Sequence, residues 1–163
     1  MRWTLGWRGL DASRLELAWA ERVGDGLRAR GTQLGTEPQL YELHYELLGG
    51  VLRVRIDGRA IELELADGAD FFDLGSSPLF NSLPIIRHDL HRGGEARDFV
   101  MTWVSVPGLE VSRSEQRYEP LGPGLVRFRS GSFTADLELD EDGFVVRYPG
   151  LAERVGLPHE EPS

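Results

Sequence analysis

The feature that most constrains this chain is its alternation of apolar and polar residues with a period of two. In "SFTADLELDEDGFVVRYPG" Phe133, Ala135, Leu137 and Leu139 fall on one face, and Thr134, Asp136 and Glu138 on the other. "DEDG" supplies a turn, after which Phe144, Val146 and Tyr148 resume one face. "VLRVRIDGRAIELEL" repeats the design. Leu52, Val54 and Ile56 precede a turn at Asp57-Gly58, and Ile61, Leu63 and Leu65 follow it. Its outer positions set Arg53 and Arg55 against Glu62 and Glu64, an arrangement worth roughly 0.2–1 kcal/mol per cross-strand pair. "LYELHYELL" aligns Tyr41, Leu43, Tyr45 and Leu47. "RWTLGW" aligns Trp3, Leu5 and Trp7, and "RLELAW" aligns Leu15, Leu17 and Trp19. Turn signals recur every eight to twelve residues, which favours an all-β architecture over alternating β and α units. One strand, "FVMTWVSVP", is apolar on both faces, so cover is expected on both.

Helical signals are few. "DASRLELAWAERV" admits a helix capped by Asp11 or Ser13. "PGLAERVG" admits a better one, with Pro149 at its start and Gly156 at its stop. The expected fold is therefore mainly β, with a short helical element near the C-terminus. Residues 1–157 are expected to form a single β-rich domain, and 158–163 a disordered tail.

Composition excludes several classes. The formal net charge is -9, which argues against nucleic acid and anionic membrane surfaces. All 18 basic residues are arginine and are scattered along the chain. Without cysteine there is no disulfide, thiolate metal site or thiol catalysis. The N-terminus carries no signal-peptide core, and no apolar run is long enough to span a membrane, so a soluble cytoplasmic protein is the expectation. No metal or other cofactor is expected. His88 and His91 would point to opposite faces of a strand, and His44, His88, His91 and His159 are expected to be exposed or half-exposed. "DEDG" lacks the remaining spacing of a calcium loop. Neither a nucleophile elbow nor a phosphate-binding glycine loop occurs. The aromatics Trp3, Trp7, Trp19, Tyr41, Tyr45 and Trp103 are predicted to face inward, either as core or as the lining of an apolar cavity with polar tips.

Residues 73–90, "DLGSSPLFNSLPIIRHDL", resemble the central motif of a bacterial glycolipid-binding protein family through Asp73, Leu74, Pro78, Asn81, Leu83, Pro84, Ile85 and Arg87. Other pieces similar to the family follow in order. They are "WVSVPGLEVSRSEQRY", with Gln116 and Tyr118, and "SGSFTADLELDEDGFVVRYPGLAERV", with Tyr148 and Pro149. An amino-terminal tryptophan strand and "GLRARGT" complete the set. Phe80 and Ile86 depart from the family pattern, and the region around 49–70 is short, which implies a smaller or more apolar ligand.

The resemblance implies a strongly curved antiparallel sheet forming an incomplete barrel, holding a glycolipid or another amphiphile without catalysis. Trp3, Tyr45, Trp103, Arg87, Gln116 and Tyr118 would then contact ligand, the last three holding its polar head. Asp73, Pro78, Asn81, Pro84, Tyr148 and Pro149 would be structural. Pro84 predicts a strand edge, a bulge or a strand start, making the segment a rigid join between the sheet's halves. Arg87 would clamp a carboxylate such as Asp73, or else hold the head group. Two alternatives stand: a small-substrate enzyme using Asp73, Arg87, His88 and Tyr118, and a protein-interaction module. The oligomeric state is left open.

Overall fold

The computed structural model describes residues 1–156. Among them lie thirteen strands in one sheet and a single α-helix. The expected tail at 158–163, with His159, lies outside the described residues.

The strands are β1 (Arg2–Gly9), β2 (Arg14–Val23), β3 (Gly26–Gly35), β4 (Tyr41–Leu48), β5 (Val51–Ile56), β6 (Arg59–Glu64) and β7 (Phe71–Leu74). Helix α1 (Pro78–Arg87) follows. Then come β8 (Arg97–Val104), β9 (Val111–Gly122), β10 (Leu125–Ser130), β11 (Phe133–Leu139), β12 (Val145–Tyr148) and β13 (Ala152–Arg154). Their spatial order is β6-β5-β4-β3-β2-β1-β13-β12-β11-β10-β9-β8-β7. All pairs are antiparallel except β7 with β8, so the sheet is mixed and not wholly antiparallel as expected. It does not close, because the end strands β6 and β7 do not pair. Its two ends nevertheless meet. The Arg59 guanidinium donates to the Pro107 carbonyl at 2.8 Å, and the Ala66 amide donates to Thr102 Oγ1 at 3.1 Å.

The alternation translates directly where strands carry large residues on one face. Tyr41, Leu43, Tyr45 and Leu47 are all buried, as are Leu52, Val54 and Ile56. The Asp57-Gly58 turn has positive φ at both residues, the signature of a two-residue hairpin. It sets Arg53 opposite Glu62, bonded at 2.8 Å. The two-sided strand β8 is covered on both faces. Phe99 and Met101 join one core cluster, while Val104 joins the other.

Four expectations need correction. First, the helix is not at the C-terminus. Pro149 and Gly150 form a turn, and Ala152–Arg154 make β13, which bridges β12 to β1. Cross-strand partners on both sides outweigh the weak local helix signal.

Second, the helix occupies "PLFNSLPIIR", the stretch whose Pro84 predicts a strand edge. Pro78 suits the first helical turn, and Pro84 forgoes one internal hydrogen bond at a cost of about 3 kcal/mol. Packing overrides that cost. Nine residues, Pro78 to Ile86, are buried, and each large apolar one contributes roughly 1.5–3 kcal/mol. Leu79, Phe80, Leu83 and Ile86 face one core cluster, and Ile85 faces the other. Its two buried polar residues, Asn81 and Ser82, are both hydrogen-bonded, so the helix can be enclosed on nearly all sides.

Third, β2 presents the opposite face. Glu16, Ala18 and Ala20 point inward, while Leu15 and Leu17 are each 55% exposed and Trp19 is half-buried beside Arg28 and Arg30.

Fourth, Val146 is exposed and Val145 buried, because a register shift between Glu138 and Leu139 turns the incoming strand.

Among the described residues, no helix is long and apolar enough to cross a membrane.

Candidate functional site

The inner face of β7–β11, the start of α1 and the β12–β13 turn enclose a cleft of about 450 Å³. Its base is set by the motif segment. β7 presents Asp73 toward β9, and Ser76, held at φ 60, carries the chain round into α1. From there Asn81 on the first turns of the helix reaches the same place. β9 contributes Gln116 and Tyr118 on the face shared with Asp73.

These four residues form one directional chain. Asn81 Nδ2 donates to Tyr118 Oη at 3.2 Å, and Tyr118 Oη donates to Gln116 Oε1 at 3.0 Å. Gln116 Nε2 then donates to Asp73 Oδ2 at 2.7 Å. The strongest acceptor sits at the end, as charge-assisted hydrogen bonding favours. Burial pushes the Asp73 carboxyl up from 3.8 to about 6, and the Gln116 hydrogen bond offsets only part of that. Burial also raises the Tyr118 and Tyr148 hydroxyls, each helped by the Asp73 charge, so both stay protonated donors.

Around this polar base stand aromatic walls. Trp103 and Tyr148 line the cleft, and Phe133 at its mouth stacks on Tyr148 with centroids 6.2 Å apart. Phe128 lies between Tyr118 and Tyr148 behind them. Ser114 and Ser130 add hydroxyls, 3.4 Å from each other. The arrangement can bind a polyhydroxylated ring. Flat aromatic faces accept its C–H faces, and carboxylate, amide and hydroxyl groups take its hydroxyls.

The other named positions lie elsewhere. Trp3 Nε1 donates to Asp142 at 3.0 Å, and its ring packs on Phe144. Tyr45 is buried and donates to Glu16 at 3.1 Å. Pro149 is exposed in its turn, and Pro78 and Pro84 belong to the buried helix. Arg87 does not clamp Asp73. It pairs with Asp25 at 2.9 Å, with side chains 44% and 72% exposed. An exposed pair is worth about 0–1 kcal/mol, so Arg87→Lys should move the melting temperature by no more than about 4 °C in a calorimetric scan.

His88 stacks on Phe99, away from the cleft, and burial lowers its pKa. His91 is buried, contrary to expectation, with Nδ1 against Gly143. No group of three His, Cys, Asp or Glu suited to a metal occurs among the described residues. At "DEDG" the Asp140 carboxylate caps the turn, accepting the amides of Asp142 and Phe144 at 3.0 and 2.9 Å.

Sequence reasoning missed a second buried network on the far side of the same segment. Glu16 accepts from Ser77 Oγ at 2.7 Å, from Tyr45 Oη at 3.1 Å and from Gln33 Nε2 at 3.1 Å. Tyr41 in turn donates to Gln33 at 2.7 Å. Ser77 precedes α1 but spends its hydroxyl on Glu16 instead of capping the helix. Ser82 lies inside α1 and is not its cap; its hydroxyl donates to the Pro78 carbonyl at 3.5 Å and accepts the Val145 amide at 3.2 Å. Asp73, Ser77, Asn81 and Ser82 thus tie one segment to β9, β2 and β12.

Comparison with known proteins gives a family and a similar solved structure. A family model described as "Putative glycolipid-binding" matches residues 55–154, more than half of the chain. A crystal structure of a DUF1089 family protein from Pseudomonas aeruginosa is similar over 94% of this chain and 92% of that one. The two share 26% identity, with a TM-score of 0.59. No curated protein matches the chain. The chain belongs to the family that this model describes as "Putative glycolipid-binding".

Proposed function

We propose that this member of the glycolipid-binding family is a non-enzymatic carrier or sensor that binds the sugar head of an amphiphile in the cleft above Asp73, within an incomplete barrel. The observation that carries the reading is the hydrogen-bond chain Asn81–Tyr118–Gln116–Asp73 beneath Trp103, Phe133 and Tyr148. Three of the residues named from sequence as ligand contacts, Trp103, Gln116 and Tyr118, meet there or directly below. Arg87 is too far along the fold to join them, and Tyr45 and Trp3 act as packing and bonding residues of the interior. An apolar wall with few convergent polar groups is the usual composition of a small-molecule site.

The test is a titration of purified protein with a panel of methyl glycosides and glycolipids, followed by tryptophan fluorescence. Binding should saturate, and Trp103→Ala should weaken it at least tenfold while leaving the melting temperature within a few degrees. A panel in which nothing binds, or a Trp103→Ala variant that binds as well as the parent, defeats the reading.

Asp73 supports a second reading. A carboxyl titrating near 6 inside a cleft is suited to proton transfer on a bound sugar or ester. Turnover with a pH profile bending near 6 and lost in Asp73→Asn would favour it. Binding retained in Asp73→Asn without turnover in either protein would favour the carrier.

A further inference from the structure

On the face of β2–β6 turned away from the core lies a cleft of about 780 Å³, which shares no residue with the Asp73 cleft. Its floor is two neighbouring cross-strand rows. One runs Leu17, Thr32, His44, Arg55, Ala60 from β2 to β6. The next runs Trp19, Arg30, Glu46, Arg53, Glu62. The small side chains of Thr32 and Ala60 leave the hollow. The exposed Leu17 and the half-buried Trp19 make one end of it apolar.

The charges in this cleft are not balanced. Glu46 and Glu62 are the carboxylates that line it, and Arg53 holds both, at 3.3 and 2.8 Å. Among the described residues, Arg30 and Arg55 pair with no carboxylate. Arg30 lies instead over the Trp19 ring, 5.1 Å from its centroid. That contact restrains the guanidinium and takes none of its N–H donors. His44, on the strand between the two arginines, is fixed by Thr32 at 3.0 Å and Glu42 at 2.8 Å. An anion entering here gains two guanidiniums. A cation would have to take the glutamates from Arg53, and an uncharged molecule would leave both guanidiniums without an acceptor. The flat floor of a sheet, with Leu17 and the rings of Trp19 and His44 along it, suits a flat apolar body. The chain as a whole carries a net charge of -9, so this cluster runs against its background.

We infer that this cleft binds a planar aromatic anion, a ring system bearing a carboxylate, sulfonate or phosphate. The ring lies along Leu17 and Trp19, and the anionic group sits between Arg30 and Arg55. The site goes beyond the reading above and uses none of the Asp73 cleft, so each can fail alone.

The test is a fluorescence titration of the native protein with 8-anilinonaphthalene-1-sulfonate, against N-phenyl-1-naphthylamine, which has the same rings and no sulfonate. The sulfonate should bind saturably and at least tenfold more tightly than the uncharged probe. Its affinity should fall severalfold as salt is raised from about 0.02 to 0.3 M. Neither measurement depends on a variant folding. Arg30→Gln with Arg55→Gln should bring the two probes to near-equal affinity. Arg97→Gln with Arg129→Gln removes the same charge from exposed positions elsewhere and should leave the preference intact, as should Trp103→Ala. Equal binding of the two probes by the unmodified protein, an affinity indifferent to salt, equal losses in the two double variants, or loss of the sulfonate in Trp103→Ala would each overturn the inference.

Discussion

The melting temperature of this protein is expected to fall as pH rises from about 4.5 to 7, and Glu16→Gln should remove most of the fall across the upper part of that window. Glu16 is 2% exposed, and burial pushes its carboxyl up from 4.5 to about 7. Hydrogen bonds from Ser77, Gln33 and Tyr45, and the charge of Arg14, offset only part of this. Between the two values the folded chain holds a proton that the unfolded chain has released. Stability contributed by such a group is complete below about 4.5 and is lost as pH climbs through about 7. At 1.36 kcal/mol per unit this amounts to about 3 kcal/mol. For a chain of this size that is roughly 6–12 °C. Asp73 acts in the same direction between 3.8 and about 6, with less force because it keeps some contact with solvent. Glu21 and Asp136 are shifted downward by arginine partners, but both contacts are at the surface and their effect fades only at lower pH. In Glu16→Gln the amide still offers an acceptor and carries no charge, so stability near pH 7 should equal or exceed that of the parent. Melting curves at pH 5, 6, 7 and 8 decide the matter. A parent whose melting temperature rises across this range would contradict the account.

Gly31→Val should cost about 3 kcal/mol, measured by urea unfolding. Gly31 and Gly35 on β3 lie beneath the rings of Tyr45 and Tyr41, and a Cβ at either glycine would fall well inside contact distance of the ring above it. Tyr45 cannot yield easily. Its hydroxyl bonds Glu16, and its ring meets Phe80 edge-on at 5.3 Å. Displacing it would also strip a donor from the buried carboxylate. The double variant Gly31→Val with Tyr45→Leu should therefore lose less than the two single losses summed. Strict additivity would show that the ring does not pin the glycine.

The strands most legible in the sequence were those whose inward residues are all large. Tyr41, Leu43, Tyr45 and Leu47 on β4 and the β5–β6 hairpin need only a period of two and an Asp-Gly turn. β2 shows where that logic stops. Alternation identifies two faces but not which of them faces in. Leu15, Leu17 and Trp19 are the more apolar set, yet Glu16, Ala18 and Ala20 are buried. The small inward residues Ala18, Ala20, Ala29 and Gly31 belong to the wall on which Tyr45 lies. A readable trace of this existed. Gly31 and Gly35 recur four apart on one face of β3, opposite the tyrosines of β4, in register Gly31 to Tyr45 and Gly35 to Tyr41. The Asp73 cleft was partly legible, since Asp73, Asn81, Trp103, Gln116, Tyr118 and Tyr148 were all singled out. Their roles were not, because Arg87 drew attention as a charge yet lies at the other end of α1.

By itself the sequence determined a β-rich fold, the period and turns of most strands, and the family to which its central segment belongs. These follow from local chemistry: side-chain alternation, glycine and aspartate at turns, and a motif of fixed spacing. Tertiary structure alone decided that "PLFNSLPIIR" is a helix despite Pro84, that Ala152–Arg154 is a strand, and that a glutamate is buried where leucines stay outside. Each of these runs against a local preference worth at most a few kcal/mol. Each is reversed by burial or pairing against residues distant in sequence, a sum that no local pattern contains.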